Sequence, residues 1–330
     1  MPPEFARHER TVICWPSRRT LYGEFMAEAE RAHAALACSI SAFEPVTMIA
    51  NAEQVERAQQ MCGDEVDVVQ LPIDDSWFRD TGPIYVIDDS GTKIAGNWIF
   101  NGWGNKYSPY DCDVDIAVEW AKHAGHRVRN IDMVLEGGSI NVDGTGLLVT
   151  TEQCLLNPNR NPDLTREQIA ERLGSELGVD EVIWLPHGLS LDGDTDGHVD
   201  NVAAFIAPRT IVLQRCDDES QTDFARLAQN RAVVDRFDVD VCEIPILPVI
   251  EFGGRRIQVP YLNFYICNGG VIVPTCGHPA DTDMLALLGE FIGDVEIVGL
   301  NVGGVLGYGG GGIHCITQQI PEQLCGTSTR

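Results

Sequence analysis

The amino-acid sequence predicts an α/β fold in which a ββαβ unit recurs five times and the two chain ends meet to close a ring. One pattern of strand, tight turn, strand, amphipathic helix and strand repeats along the chain, and the segments left over at the two ends supply one more copy. No linker-like segment interrupts the series. A chain of 330 residues with 44% hydrophobic content can bury a core of this size, so residues 1–330 are expected to form a single domain.

Taken in order, TVICWP from Thr11 reads as an apolar strand, a helix is expected from about Glu24 to Phe43, and PVTMIA returns as a strand. In the next unit IYVID, a DSG turn and KIAGNWIF form a hairpin, and a helix around Asp113 to Ala124 leads to HRVRNI. The clearest copy starts at Ser139: SINV, a DGTG turn and LLVTT precede apolar residues at helical spacing from Leu164 to Leu177, then the strand EVIWLP. VAAFI, TIVLQ, a helix from about Ser220 to Phe237 and VDVCEIP repeat the pattern. So do NFYIC, an NGG turn, VIVP, a helix near Asp281 to Phe291 and VEIVGL. The last strand, IHCITQQ, has no unit of its own and completes the first. Closure removes exposed sheet edges, a physical reason for a ring; a doubly wound sheet of the same elements is the alternative.

Composition narrows the function. A formal net charge of -26 without any basic run disfavours nucleic acid and attracts a cationic small molecule, although acidity also serves solubility alone. No stretch approaches the ~20 apolar residues of a membrane span, and the charged start (Glu4, Arg7, His8, Glu9, Arg10) has no apolar run behind it. A soluble, unprocessed, cytoplasmic chain without a membrane partner is expected. The 11 cysteines are odd in number and lack any CxxC pair, which predicts reduced thiols rather than a disulfide scaffold or a zinc finger.

Polar residues gather just ahead of the first strand of several units: WFRDTGP at Trp77 to Pro83, LEGG at Leu135 to Gly138, TDGHVDN at Thr195 to Asn201, and GGGGIHC at Gly309 to Cys315. If the units share one orientation, these loops lie at the same end and bring together a nucleophile, a base and three carboxylates. Cys315, behind four glycines that permit close backbone approach, is the candidate nucleophile, against the common alternative of a buried structural thiol. His198 and Asp200 form an HxD pair expected on one face of an extended segment, or else a plain hydrogen-bonded loop. Asp80 and Glu136 are the other carboxylates; a local salt bridge or Asx turn competes for Asp80, and an exposed loop acid for Glu136. Trp77 either lines a channel or packs in the core.

Two motifs mislead. GYGGGG at 307–312 satisfies GxGxxG, but IHCITQQIP follows it where a dinucleotide site needs a helix. Asp192, Asp194, Asp196 and Gly197 open like a calcium loop, yet Ala203 stands where the bidentate Glu is required. No metal and no organic cofactor is expected.

The segments CWP, WFRDTGP, LEGGSINVDG, TTEQCLLNPNRNP, DTDGHVDN, NFYICNGGVIVP and GGGGIHCITQQIP, in this order up to residue 321, resemble the agmatine deiminase family of the guanidine-modifying superfamily. That resemblance implies a five-bladed, pseudo-symmetric α/β propeller of ββαβ units (a pentein). It also implies Cys315 as nucleophile, His198 as general acid and base, Glu136 as the partner of His198, and Asp80 with Asp200 as the clamp on the guanidinium. The implied reaction is hydrolysis of agmatine to N-carbamoylputrescine and ammonia through a covalent amidino (thiouronium) intermediate on the cysteine. A homodimer would be ordinary for such an enzyme.

Three departures bear on this. Gly312, beside the nucleophile and a candidate for substrate contact, replaces the family's usual Asn; Asn101 to Asp113 diverges from the usual tryptophan-containing pattern; and the stretch between Cys242 and Val259 is short. Another guanidine as substrate (arginine, peptidyl arginine, a guanidino acid or a modified arginine), an amidinotransferase, or a non-catalytic guanidinium-binding protein therefore remain alternatives. Arg255 and Arg256, in the shortened stretch, would suit a substrate carboxylate or form a solvated basic pair.

Overall fold

The computed structural model describes residues 1–246 and 249–323. Its strands fall into several small sheets, and the repeat read from the sequence is visible in their pairing. In four sheets the first strand runs antiparallel to the second and the third returns parallel to it after a helix, as Ile84–Ile87, Lys93–Ile99 and Arg127–Val134 do. Ile140–Val142, Leu147–Thr151 and Glu181–Leu185 follow the same order, as do Ala203–Ala207, Thr210–Arg215 and Asp240–Pro245. The fourth is Tyr265–Cys267, Gly270–Thr275 and Glu296–Asn301.

The chain ends make the remaining sheet together. Thr317–Pro321 pairs antiparallel with His8–Cys14, which lies parallel to Val46–Ala50. A further strand, Val66–Gln70, joins at the edge after the helix Val55–Cys62. The sequence reading missed both. Nor did it find the hairpin of Ile250–Phe252 with Arg255–Ile257.

The long helices obey the apolar spacing that predicts them. Met26–Ser41 buries Ala29, Leu36, Ala37 and Ile40 along one face, and burying one such leucine stabilises by roughly 1.5–3 kcal/mol. Arg166–Leu177 starts at a capping box, with Thr165 accepting from the Gln168 backbone and Gln168 from that of Thr165. The helix Gly303–Gly309 was hidden from the sequence because its residues are GGVLGYG. Burial of Val305 and Leu306 overrides that poor propensity.

Two expectations need correction. IHCITQQ is not strand throughout: His314–Ile316 is a 3₁₀ turn and the strand begins at Thr317. His198 and Asp200 do not sit on an extended segment either, since Val199–Asn201 is also a 3₁₀ turn. In both cases a helical turn lets consecutive polar groups face one centre, which the two-residue alternation of a strand would not.

Among the described residues, the ten cysteines are all unbridged; Cys325 lies outside them. Likewise, among these residues no helix is long and apolar enough to cross a membrane.

Candidate active site

Each of the five sheets of three or more strands is entered through a tight turn, and these turns touch one another. Phe78–Thr81 packs against both Gly137–Ser139 and His314–Ile316, and Gly137–Ser139 packs against Val199–Asn201. Asn263, at the end of a turn from Pro260, donates to Asn201 Oδ1 at 3.0 Å, and its carbonyl accepts from the His314 backbone at 3.1 Å. This circuit brings together Cys315, His198, Glu136, Asp80 and Asp200, all of them buried.

Asp80 is held at both oxygens: Gly138 N donates to Oδ1 at 2.8 Å and Trp103 Nε1 to Oδ2 at 2.9 Å. His198 lies between carboxylates, with Nδ1 3.8 Å from Asp80 and Nε2 3.9 Å from Glu136. Gly138 is at the hub. A Cβ there would fall 2.6 Å from His198 Nδ1, 2.9 Å from Asp80 and 3.0 Å from Asp200, so only glycine lets the three approach. Cys315 Sγ is 3.5 Å from Asp200 Oδ2 and 3.2 Å from Asn263 Nδ2.

Behind these groups stands a second layer of charge. Arg160 Nε donates to Glu136 Oε1 at 2.6 Å. His314 Nδ1 lies 2.9 Å from Asp200, and its Nε2 lies 2.9 Å from Glu4, which also accepts from Arg79 at 3.1 Å. Meanwhile both ring nitrogens of His198, Asp200 Oδ1 and Glu136 Oε2 are buried without partners. Buried polar atoms are normally satisfied, so this cluster has the capacity to hydrogen-bond a polar ligand.

The electrostatics differ at each group. Burial opposes charge on His198, but Asp80 and contacts with Cys154 and Glu136 outweigh it and raise its pKa well above the ordinary value. Burial works against ionised Glu136 too, yet His198 and Arg160 depress its pKa. The Cys315 thiol is pushed well up by burial, then by Asp200 and Asp80, which favours the protonated form. Asp80 is raised, chiefly by burial; Asp200 is lowered, because His314 outweighs burial there.

Cys315, Asp80 and Trp77 line one narrow pocket together with Trp103, Tyr107 and Asp194. Gly312 is outside that lining and faces Asn263. Arg255 and Arg256 line a neighbouring cavity, Arg255 stacking 4.3 Å above the Tyr308 ring. Glu136, Cys154 and His198 have ligand-type atoms within 4.8 Å of one another. A metal ion there would meet the Arg160 guanidinium already bound to Glu136. Asp192 and Asp196 accept from Thr195, Asn201, Arg160 and Asn159 rather than converging on an empty cation site.

Sequence reasoning missed Trp103, Cys154, Arg160, Asn263, His314 and Glu4. His314 adjoins Cys315, and Cys154 and Arg160 lie in TTEQCLLNPNRNP, so position gave a signal; Glu4 gave none.

Residues 1–321 match the model of the Porphyromonas-type peptidyl-arginine deiminase family. Over 97% of its length the chain is 41% identical to an agmatine deiminase of Stutzerimonas stutzeri (strain A1501), covering 95% of that protein. The structure of an Enterococcus faecalis agmatine deiminase superposes with a TM-score of 0.94 at 31% identity, over 98% of this chain and 96% of that one. A cysteine-to-serine variant of the C. jejuni agmatine deiminase with substrate bound gives a TM-score of 0.91 at 28% identity, over the same shares.

Proposed function

Since the chain belongs to the Porphyromonas-type peptidyl-arginine deiminase family, we propose that it hydrolyses the guanidinium group of agmatine, giving N-carbamoylputrescine and ammonia. The observation that carries this is the convergence of one thiol, one imidazole and three buried carboxylates on one centre, of which Cys315 and Asp80 line a narrow pocket.

A guanidinium spreads its charge over three nitrogens and is a poor electrophile, so it must be fixed before attack. Asp80 and the unpartnered Asp200 Oδ1 are placed to accept its planar N–H groups in charge-assisted bonds. The arriving cation offsets the two carboxylates that raise the Cys315 pKa, so the thiol gives its proton to solvent and stands as thiolate when substrate is bound. The sulfur attacks the central carbon, His198 gives its proton to the leaving nitrogen, and ammonia departs, leaving an amidino group on sulfur. Water then loses a proton to His198 and adds to that carbon; the C–S bond breaks, the remaining hydroxyl proton passes to solvent, and the ureido product and the thiolate are freed. Glu136 keeps His198 charged for the first step. Tyr107 and Asp194, at the outer part of the pocket, suit the cationic tail.

The circuit of contacting turns supports a five-bladed propeller enclosed in one catalytic domain. The unbridged cysteines support a cytoplasmic location. A homodimer is proposed only because it is the common assembly of soluble enzymes, and light scattering decides it.

The test is a panel of agmatine, arginine, a blocked arginyl peptide and guanidino acids, following ammonia and ureido product by mass. Agmatine is expected to turn over fastest, and Cys315→Ser to lose more than about 1000-fold in kcat. Turnover of a different guanidine alone would move the substrate and keep the mechanism. Silence across the panel would leave a guanidinium-binding protein.

A further inference from the structure

We propose that His314 is a positioning residue for Asp200: an imidazolium, held between Asp200 and Glu4, that keeps the Asp200 carboxylate ionised and leaves one of its oxygens for the substrate guanidinium. The inference rests on the guanidinium clamp described above and adds a residue that acts through Asp200.

His314 is buried, and each of its ring nitrogens meets a carboxylate. Nδ1 lies 2.9 Å from Asp200 Oδ2, and Nε2 lies 2.9 Å from Glu4 Oε2. A neutral imidazole has one N–H and one lone pair, and a lone pair facing an ionised carboxylate is repelled. Both contacts are therefore hydrogen bonds only if both nitrogens carry protons. Glu4 does not take the proton instead, because it also accepts from Arg79 Nη2 at 3.1 Å and from the Ile266 backbone at 2.9 Å. The other charged groups around the ring are Arg79, whose Nε donates to the His314 carbonyl at 3.3 Å, and, on the far side of Asp200, His198 and Cys315. Burial and then Arg79 oppose charge on His314, but Glu4 and Asp200 outweigh them and raise its pKa.

Asp200 shows what the contact achieves. Its Oδ2 accepts from His314, with Cys315 Sγ at 3.5 Å, whereas its Oδ1 is buried and has no partner among the described residues. One oxygen is thus anchored and the other left for an N–H group of the guanidinium. Asp80 and Asp200 both abut Gly138, and each disfavours charge on the other. The positive ring on His314 keeps Asp200 ionised in that company, and a carboxylate that held a proton would be a poor acceptor for a cation.

The test has two readouts, with thermal melting to establish that each variant folds. The first is nitrogen NMR of the histidine rings in substrate-free enzyme from about pH 6 to about pH 8, a range in which an ordinary imidazole becomes neutral. The His314 ring, assigned by its loss in His314→Gln and its persistence in His198→Asn, is expected to keep both nitrogens protonated throughout; a ring that titrates within the range overturns the proposal. The second is the pH profile of kcat/KM for agmatine. His314→Gln is expected to lower kcat/KM at neutral pH on the order of 10- to 100-fold, the range of a hydrogen bond to a charged group, mainly through KM. The acid limb of its profile, where Asp200 must lose its proton, should move up by on the order of one pH unit. A lost structural contact would lower the whole profile without moving that limb. Glu4→Gln keeps an acceptor for Nε2 but removes its charge, so it should move the limb the same way by less, and it decides the matter if His314→Gln fails to fold. Folded variants with an unmoved limb overturn the proposal. The spectrum needs no turnover, so an inactive wild type whose His314 is an imidazolium counts against the deiminase reading alone.

Discussion

Asp80 combines a raised pKa with two fixed donors, Gly138 N and Trp103 Nε1, and the donors decide where its charge points. Trp103 adopts a left-handed backbone at φ 53°, costly for a bulky residue and tolerated where surrounding structure fixes it. Its ring packs edge-on against Phe100 and Tyr107, so Trp103→Phe keeps most of the packing and removes the N–H. We expect kcat/KM for agmatine to fall about 10-fold with little change in melting temperature; an unchanged kcat/KM would show that the indole does not orient Asp80. The carboxylates, His198 and Cys315 were legible in the sequence because each lies in a glycine-containing polar loop ahead of an apolar strand. Trp103, Asn263 and Arg160 were not, because their meaning depends on which neighbouring unit each one touches. Trp103 even lies in the segment that reads as divergent.

The elements that position the site are the turns, and two of them are braced by Glu4. Glu4 reaches Arg79, His314 and the backbone of Ile266, linking the first residues to the turns that carry Asp80 and Cys315. Burial works against its charge, but His314 and Arg79 prevail and its pKa falls to about 2 from 4.5. The folded protein therefore holds fewer protons at this group than the unfolded chain. The resulting stabilisation, on the order of 3 kcal/mol, is complete above pH 4.5 and is lost as pH falls toward 2. Glu4→Gln should cost about 3 kcal/mol at pH 7 by stranding two buried cations. Urea midpoints should show the gap from wild type narrowing below pH 4.5, and a constant gap would mean that Glu4 acts by shape alone. The strands of the repeated unit and the long helices were readable from apolar spacing, whereas Val66–Gln70 and the hairpin of Ile250–Phe252 with Arg255–Ile257 were not. The turns were not, since a 3₁₀ turn of three residues such as His314–Ile316 has no periodicity and looks like the start of the next strand.

At the scale of the whole molecule, a net charge of -26 has two readings that the sequence leaves open, solubility or attraction of a cationic substrate. The structure sharpens the second. Asp75, Asp80 and Asp194 line the pocket that ends at Cys315, and although Asp75 is paired with Arg18, the field at the entrance adds to that of a strongly acidic surface. Agmatine, with a guanidinium and an amine, would feel this field twice over. Raising salt from ~10 mM to ~0.1 M shortens the Debye length from ~30 Å to ~10 Å, which screens the surface charge but scarcely touches the buried carboxylates. kcat/KM for agmatine should therefore fall several-fold over that range, less for a guanidine whose tail is uncharged, while kcat stays constant because the chemical step takes place among buried groups. If kcat/KM is flat in salt for both substrates, the acidity of the chain serves solubility, and recognition of the cation falls wholly to the turns around Cys315.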